Sequence, residues 1–143
     1  MARAGEVATA ATEAFNSHDE ARIRASWIEN AVLEAPDDVR LEGADDATEY
    51  AMSWLRAFPD ARITVHAQVE AGDRVVQEFT FQGTHTASLV GKSGEIPATH
   101  RQLTGRGAEI FRIEGDKVAE WHLYFDQVQV LTQLGLMPEA ALA

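Results

Sequence analysis

Cysteine is absent from the 143 residues, which removes thiol nucleophiles, disulfide frameworks and Cys-ligated zinc together. Basic residues are scarce: 12 Lys and Arg face 23 Asp and Glu, for a formal net charge of −11. That field repels a phosphate backbone or an anionic lipid surface, so neither nucleic acid nor membrane is an expected partner. No apolar run approaches the ~18–20 residues of a spanning helix. The opening stretch, MARAGEVATAATEAF, carries Glu6 and Glu13 and lacks the apolar core of a secretory signal. A soluble, cytoplasmic protein is the expectation. There is no Gly-x-Ser-x-Gly elbow, so a serine hydrolase has no support. Gly91-Lys92-Ser93 has the tail of a phosphate-binding loop, but Thr86 stands where its leading glycine belongs and no helical pattern follows. The histidines (His18, His66, His85, His100 and His122) show no metal-ligand spacing, so no metal site is expected.

What is present fits one domain, 1–143, of ordinary globular composition: 45% hydrophobic and 24% charged residues. Val7, Ala10, Ala11, Ala14, Phe15 and His18 recur at helical spacing, and the capping-rich Asn16-Ser17-His18-Asp19 breaks that helix and starts a second. The second helix is expected to turn Ile23 and Trp27 inward. A short extended piece around Ala31-Val32-Leu33-Glu34 and a Pro36-Asp37-Asp38 turn follow. Ala47, Tyr50, Ala51, Trp54, Leu55 and Phe58 predict a third helix, stopped by Pro59. From there the period shortens to two. Strands are predicted over Arg62–Glu70, Arg74–Ala87, His100–Glu114 and Lys117–Phe125, with a loop over Ser88–Pro97 and a Gly115-Asp116 hairpin turn. Val128–Leu134 reads as a final helix ended by Gly135 and Pro138. Helices first and antiparallel strands afterwards define an α+β fold, three N-terminal helices packed on a curved antiparallel sheet.

The order of elements comes with local blocks of residues: Phe15-Asn16-Ser17-His18-Asp19, Ala57-Phe58-Pro59-Asp60, Gly83-Thr84-His85-Thr86, Ile96-Pro97-Ala98-Thr99, Glu120 through Tyr124-Phe125-Asp126, and Gln133-Leu134-Gly135-Leu136. With these the whole chain resembles the SnoaL-like polyketide cyclases, a branch of the NTF2-like, ketosteroid-isomerase-like cone fold. The resemblance implies an enclosed apolar pocket. It also implies cofactor-independent closure of a ring on an aromatic polyketide by intramolecular aldol condensation, or the related hydroxylation, with Asp126 as acid and base. Arg112 stands where the resembling enzymes place a His or an Arg, and Arg rather than His leans toward the hydroxylases.

Each candidate also has a plainer reading. Asp126-x-x-Gln129 has the spacing of a capping box. With a two-residue turn at Gly115-Asp116, Arg112 pairs with Ala119, on the face of Trp121, Leu123 and Phe125; only a β-bulge puts it on the face of Asp126. His122 and Tyr124 share the Asp126 face, either as helpers that tune the carboxyl or as polar tips on a half-buried sheet. Trp27, Trp54, Phe58, Phe79 and Phe81 are candidate pocket walls or simply core. His85, beside the long loop, is a candidate substrate contact or a hydrogen-bonded structural imidazole. The partner is therefore expected to be a hydrophobic small molecule, with no cofactor. A homodimer is expected to cover the apolar strand residues of the convex face. An isomerase or dehydratase in the same pocket, and a non-catalytic small-molecule binder, are the alternatives.

Overall fold

A computed structural model describes residues 3–91 and 94–137. Lys92 and Ser93 of the phosphate-loop look-alike and Pro138, the expected stop after the last helix, lie outside the described residues. Helix α1 (Ala4–Ser17) ends where His18 turns left-handed at φ 61, and helix α2 (Glu20–Ala25) starts two residues on. Asp19 caps α2 by accepting from the backbone N–H groups of Ala21 and Arg22. The junction is as the capping residues predict. The buried face of α1 is Gly5, Val7, Ala8 and Ala14, while Ala10 is exposed, so the stripe is rotated slightly from the expected one.

Strands β1 (Trp27–Ala35) and β2 (Val39–Glu42) form an antiparallel hairpin before helix α3 (Ala44–Ala57). Strands β3 (Arg62–Ala71) and β4 (Arg74–Thr84) follow, then a small hairpin of β5 (Leu89–Gly91) and β6 (Gly94–Ile96). The long strands β7 (Gln102–Glu114) and β8 (Lys117–Phe125) lead into helix α4 (Gln127–Gln133). The main sheet runs β2-β1-β8-β7-β4-β3.

Three expectations change. Trp27 opens β1 rather than closing α2, because α2 ends after six residues. The Ser88–Pro97 segment contains the β5–β6 hairpin. The sheet is mixed, since β1 lies parallel to β8. β1 thus sits between β2, its antiparallel hairpin partner, and β8, its parallel one.

Bulges curve the sheet. Register shifts occur in β3 between Val65 and Ala67, in β1 between Trp27 and Val32, and where β7 meets β8. The helices close over the concave side, and Asn16 ties α1 to the start of β3 by bonding both the N–H and the carbonyl of Ile63, at 2.8 and 2.9 Å. The result is an α+β cone with its core between helices and sheet.

Candidate active site

Alternation along β7 decides what lies inside the cone. Leu103, Gly105, Gly107, Glu109, Phe111 and Ile113 point inward, and they pair across β4 with Gly83, Phe81, Phe79, Gln77 and Val75 in order up to Phe111. Two consecutive inward positions are glycine, so neighbouring side chains and not their own cover the floor before Glu109. Phe79 lies across Gly107 so closely that a Cβ there would meet its Cζ at 2.7 Å and the Tyr124 carbonyl at 2.7 Å. Above this floor is an apolar cavity of about 50 Å³, lined by side chains that include Phe15, Tyr50, Trp54, Phe81, Leu123 and Glu109. Past Tyr50, Trp54, Phe125 and Val130, which border both spaces, it widens into a groove of about 850 Å³ between the β1–β2 turn, α3, the β5–β6 hairpin and α4. The combined space is wide outside and narrow at its inner end.

Glu109 is the one carboxylate among the described residues that lines the cavity. It is 3% exposed, and burial pushes its carboxyl from 4.5 up to about 7. One hydrogen bond opposes that shift: the indole N–H of Trp121 donates to Oε1 at 2.7 Å. Beside it on β4, Gln77 is fully buried, its amide held by Thr12 and Gln68 at 3.0 and 2.7 Å. Tyr50 reaches the same space from α3 and packs edge-on against Trp121, ring centroids 6.1 Å apart. Burial raises its hydroxyl to about 12, and a hydrogen bond from the Trp54 indole partly offsets this. At neutral pH the cavity therefore holds a carboxyl that either gives or takes a proton and a phenol that stays protonated.

The sequence candidates fall elsewhere. A bulge does exist: Arg112 pairs with Glu120 and Ile113 with Val118, so Ala119 is the extra residue. This places Arg112 with Glu120, His122 and Tyr124 on the outer face, opposite the inward Trp121, Leu123 and Phe125. Arg112 is bonded there to Glu120 and to Glu114, and His122 stands 3.3 Å from Glu34 and 3.1 Å from Glu120. Tyr124 is 57% exposed. Asp126 is the exposed N-cap of α4 and accepts from the Gln129 N–H at 3.1 Å. None of the four lines the cavity.

Of the wall residues, Trp54, Phe79 and Phe81 border the cavity. Phe58 is fully buried behind it, stacked on Trp54 and on His85 with centroids 5.9 and 5.1 Å away. His85 is buried too, its Nδ1 3.0 Å from the Thr99 hydroxyl, and burial, with His100 nearby, lowers its pKa. Trp27 packs on Trp121 at 5.4 Å and borders a smaller chamber behind Glu109.

A helix-roofed, bent sheet around an apolar pocket is the architecture of an NTF2-like cone. The chain belongs to the SnoaL-like polyketide cyclase family, whose pattern it matches over residues 5–134. A comparison with curated proteins gives no match. Solved structures with the same fold include a proposed SnoaL-like polyketide cyclase of Jannaschia, 16% identical over 93% of this chain and 92% of that one, with TM-score 0.81. AclR of Streptomyces galilaeus, a proposed hydroxylase, is 23% identical over 94% and 97%, with TM-score 0.79. IdmH of Streptomyces antibioticus, a proposed polyketide cyclase, is 24% identical over 94% and 99%, with TM-score 0.78.

Proposed function

We propose that the protein is a cofactor-independent enzyme that moves a proton on a hydrophobic carbonyl substrate, with aldol-type ring closure of a polyketide as the reaction class. The observation that carries this reading is Glu109, a buried carboxyl near neutrality at the inner end of an apolar cavity. The acid/base role that the family resemblance implies for Asp126 is assigned here to Glu109. Ionised Glu109 takes the proton beside a substrate carbonyl, and the neutral Tyr50 hydroxyl hydrogen-bonds the oxygen on which enolate charge develops. The new carbon–carbon bond forms when the enolate carbon attacks a second carbonyl of the same molecule. Glu109 then returns its proton to the resulting alkoxide, so the carboxyl ends as it began. The walls of Trp54, Phe79 and Phe81 hold the two carbons together, which supplies effective concentration in place of a cofactor. Family membership favours cyclisation, and the neighbour AclR keeps hydroxylation as the reading next in line.

The test needs no natural substrate. The protein is expected to speed exchange of the α-protons of 1-tetralone, an aromatic bicyclic ketone, in heavy water, followed by NMR. Glu109→Gln should lose that acceleration by roughly 10²-fold or more, while Glu109→Asp keeps part of it. Exchange that is unaffected by Glu109→Gln would overturn the assignment. Binding of the ketone without any exchange would make the protein a small-molecule binder.

A further inference from the structure

Building on the reading of Glu109 as the proton carrier, we propose that the small chamber behind this residue is a binding site for one water molecule, held between the Trp27 indole and Glu109. Trp27 is only 6% exposed, and its Nε1–H is buried with no hydrogen-bond partner. Buried donors are rarely left so, because the lost solvation is not recovered elsewhere. The chamber beside it has a volume of about 30 Å³, where roughly 10–15 Å³ is enough to admit a water. Glu109 and Trp121 border both this chamber and the main cavity, so the carboxyl forms part of the wall between them.

The polar groups around the chamber match the needs of a single water. Trp27 offers a donor. Glu109 Oε1 accepts from Trp121, and the carboxyl retains further lone pairs able to accept. The Thr12 hydroxyl donates to Gln77 Oε1 at 3.0 Å, which leaves its oxygen able to accept. A water that accepts from Trp27 and donates to Glu109 and Thr12 makes three hydrogen bonds, the usual number for a buried water. The surrounding Phe15, Ile63 and Phe111 confine it.

Its role follows from which side of Glu109 it occupies. A substrate that fills the apolar cavity removes solvent from the front of the carboxyl. The water behind solvates the ionised form and links it to Thr12, half-buried on the α1 side of the cone. Trp27 is thus a positioning residue that acts on Glu109 through the water. Tyr50 and Arg106 are the other titratable side chains bordering the main cavity, and neither lines the chamber.

Water–protein NOE spectroscopy on the ligand-free protein tests this, with Trp27→Phe to assign the indole resonance. We expect a cross-peak of the sign of a long-lived water on Trp27 Nε1–H. In Trp27→Phe, which keeps a ring against Trp121, the titration midpoint of Glu109 followed by its infrared carboxyl band should rise by about one pH unit. A dry Trp27 indole, or an unchanged midpoint in a folded Trp27→Phe, overturns the proposal. If the variant does not fold, the wild-type cross-peak decides alone. A wild-type midpoint at the ordinary carboxylate value would instead sink the acid/base reading of Glu109, leaving the water signal to be judged on its own.

Discussion

A carboxyl that holds its proton up to about 7 in the folded chain, against 4.5 when exposed, makes folding depend on pH. Between those values the native state binds a proton that the unfolded state has released, so stability falls as pH rises across that window and stays low above it. At ~1.4 kcal/mol per unit the full penalty is about 3 kcal/mol. Glu109→Gln, similar in shape and uncharged, should gain on the wild type by that order between about pH 5 and pH 8, read from urea melts at both. Equal slopes for the two proteins would mean that Glu109 is solvated. The sequence does hold a signal for this residue. Leu103, Gly105, Gly107, Glu109, Phe111 and Ile113 form one period-two phase, and a charge in an otherwise apolar or bare phase marks an inward acid. Reading β7 as a strand is not enough to see it, because the phase has to be chosen as well. Attention to Asp126 through family resemblance draws the eye to the exposed cap instead.

Among the elements, the helices with a clean 3.6-residue stripe were the legible ones. α3 runs Ala44–Ala57 and stops before Pro59, and α1 stops at the capping run. The β1–β2 hairpin was less so, since Trp27 and Ile23 also fit a helical spacing and β2 is only four residues long. The Ala119 bulge could not be read at all. Whether Arg112 faces Ala119 or Glu120 depends on a single unpaired residue, and nothing local in Lys117–Phe125 announces it. The cap on α4 gives a direct check of the Asp126 assignment. Asp126→Ala should cost ~1 kcal/mol of stability through the lost bond to Gln129, whereas Asp126→Asn should retain both stability and 1-tetralone exchange. A collapse of exchange in a stable Asp126→Asn would return the acid/base role to Asp126.

For the whole molecule, a charge of −11 on 143 residues means that the folded state carries its own repulsion. Arginines are the main relief, through pairs such as Arg24 with Asp45 and Glu29, and Arg56 with Glu49, but these are exposed and worth little each. Added sodium chloride screens the repulsion over a distance of about 10 Å at 0.1 M. The thermal midpoint should therefore rise by a few degrees between low and moderate salt, and a fall would show that the surface pairs outweigh the excess charge. The strand order is a property of this scale and is the part of the fold least written in local pattern. β1 meets β8 across some ninety residues of chain, in parallel, where the reading of neighbouring strands foresaw antiparallel pairs only.

β8 ends its pairing at Phe125 opposite Gly107, yet β7 extends on to Gln102. Two glutamines of α4, one turn apart, take over the vacated ladder. Gln129 accepts from the N–H of Arg106 at 3.1 Å, and Gln133 both accepts from the N–H of Thr104 and donates to its carbonyl, at 2.7 and 2.9 Å. Side chains thus do the work of a strand at the edge where Gln129 and Val130 border the cavity. A wall built this way can be revised by point substitution. Backbone pairing yields only to a register slip, which turns every later residue over, but amide-to-backbone bonds can be lost, shortened or replaced one at a time. The bore of the cone is in this sense adjustable by substitution in α4 without touching the sheet that carries Glu109.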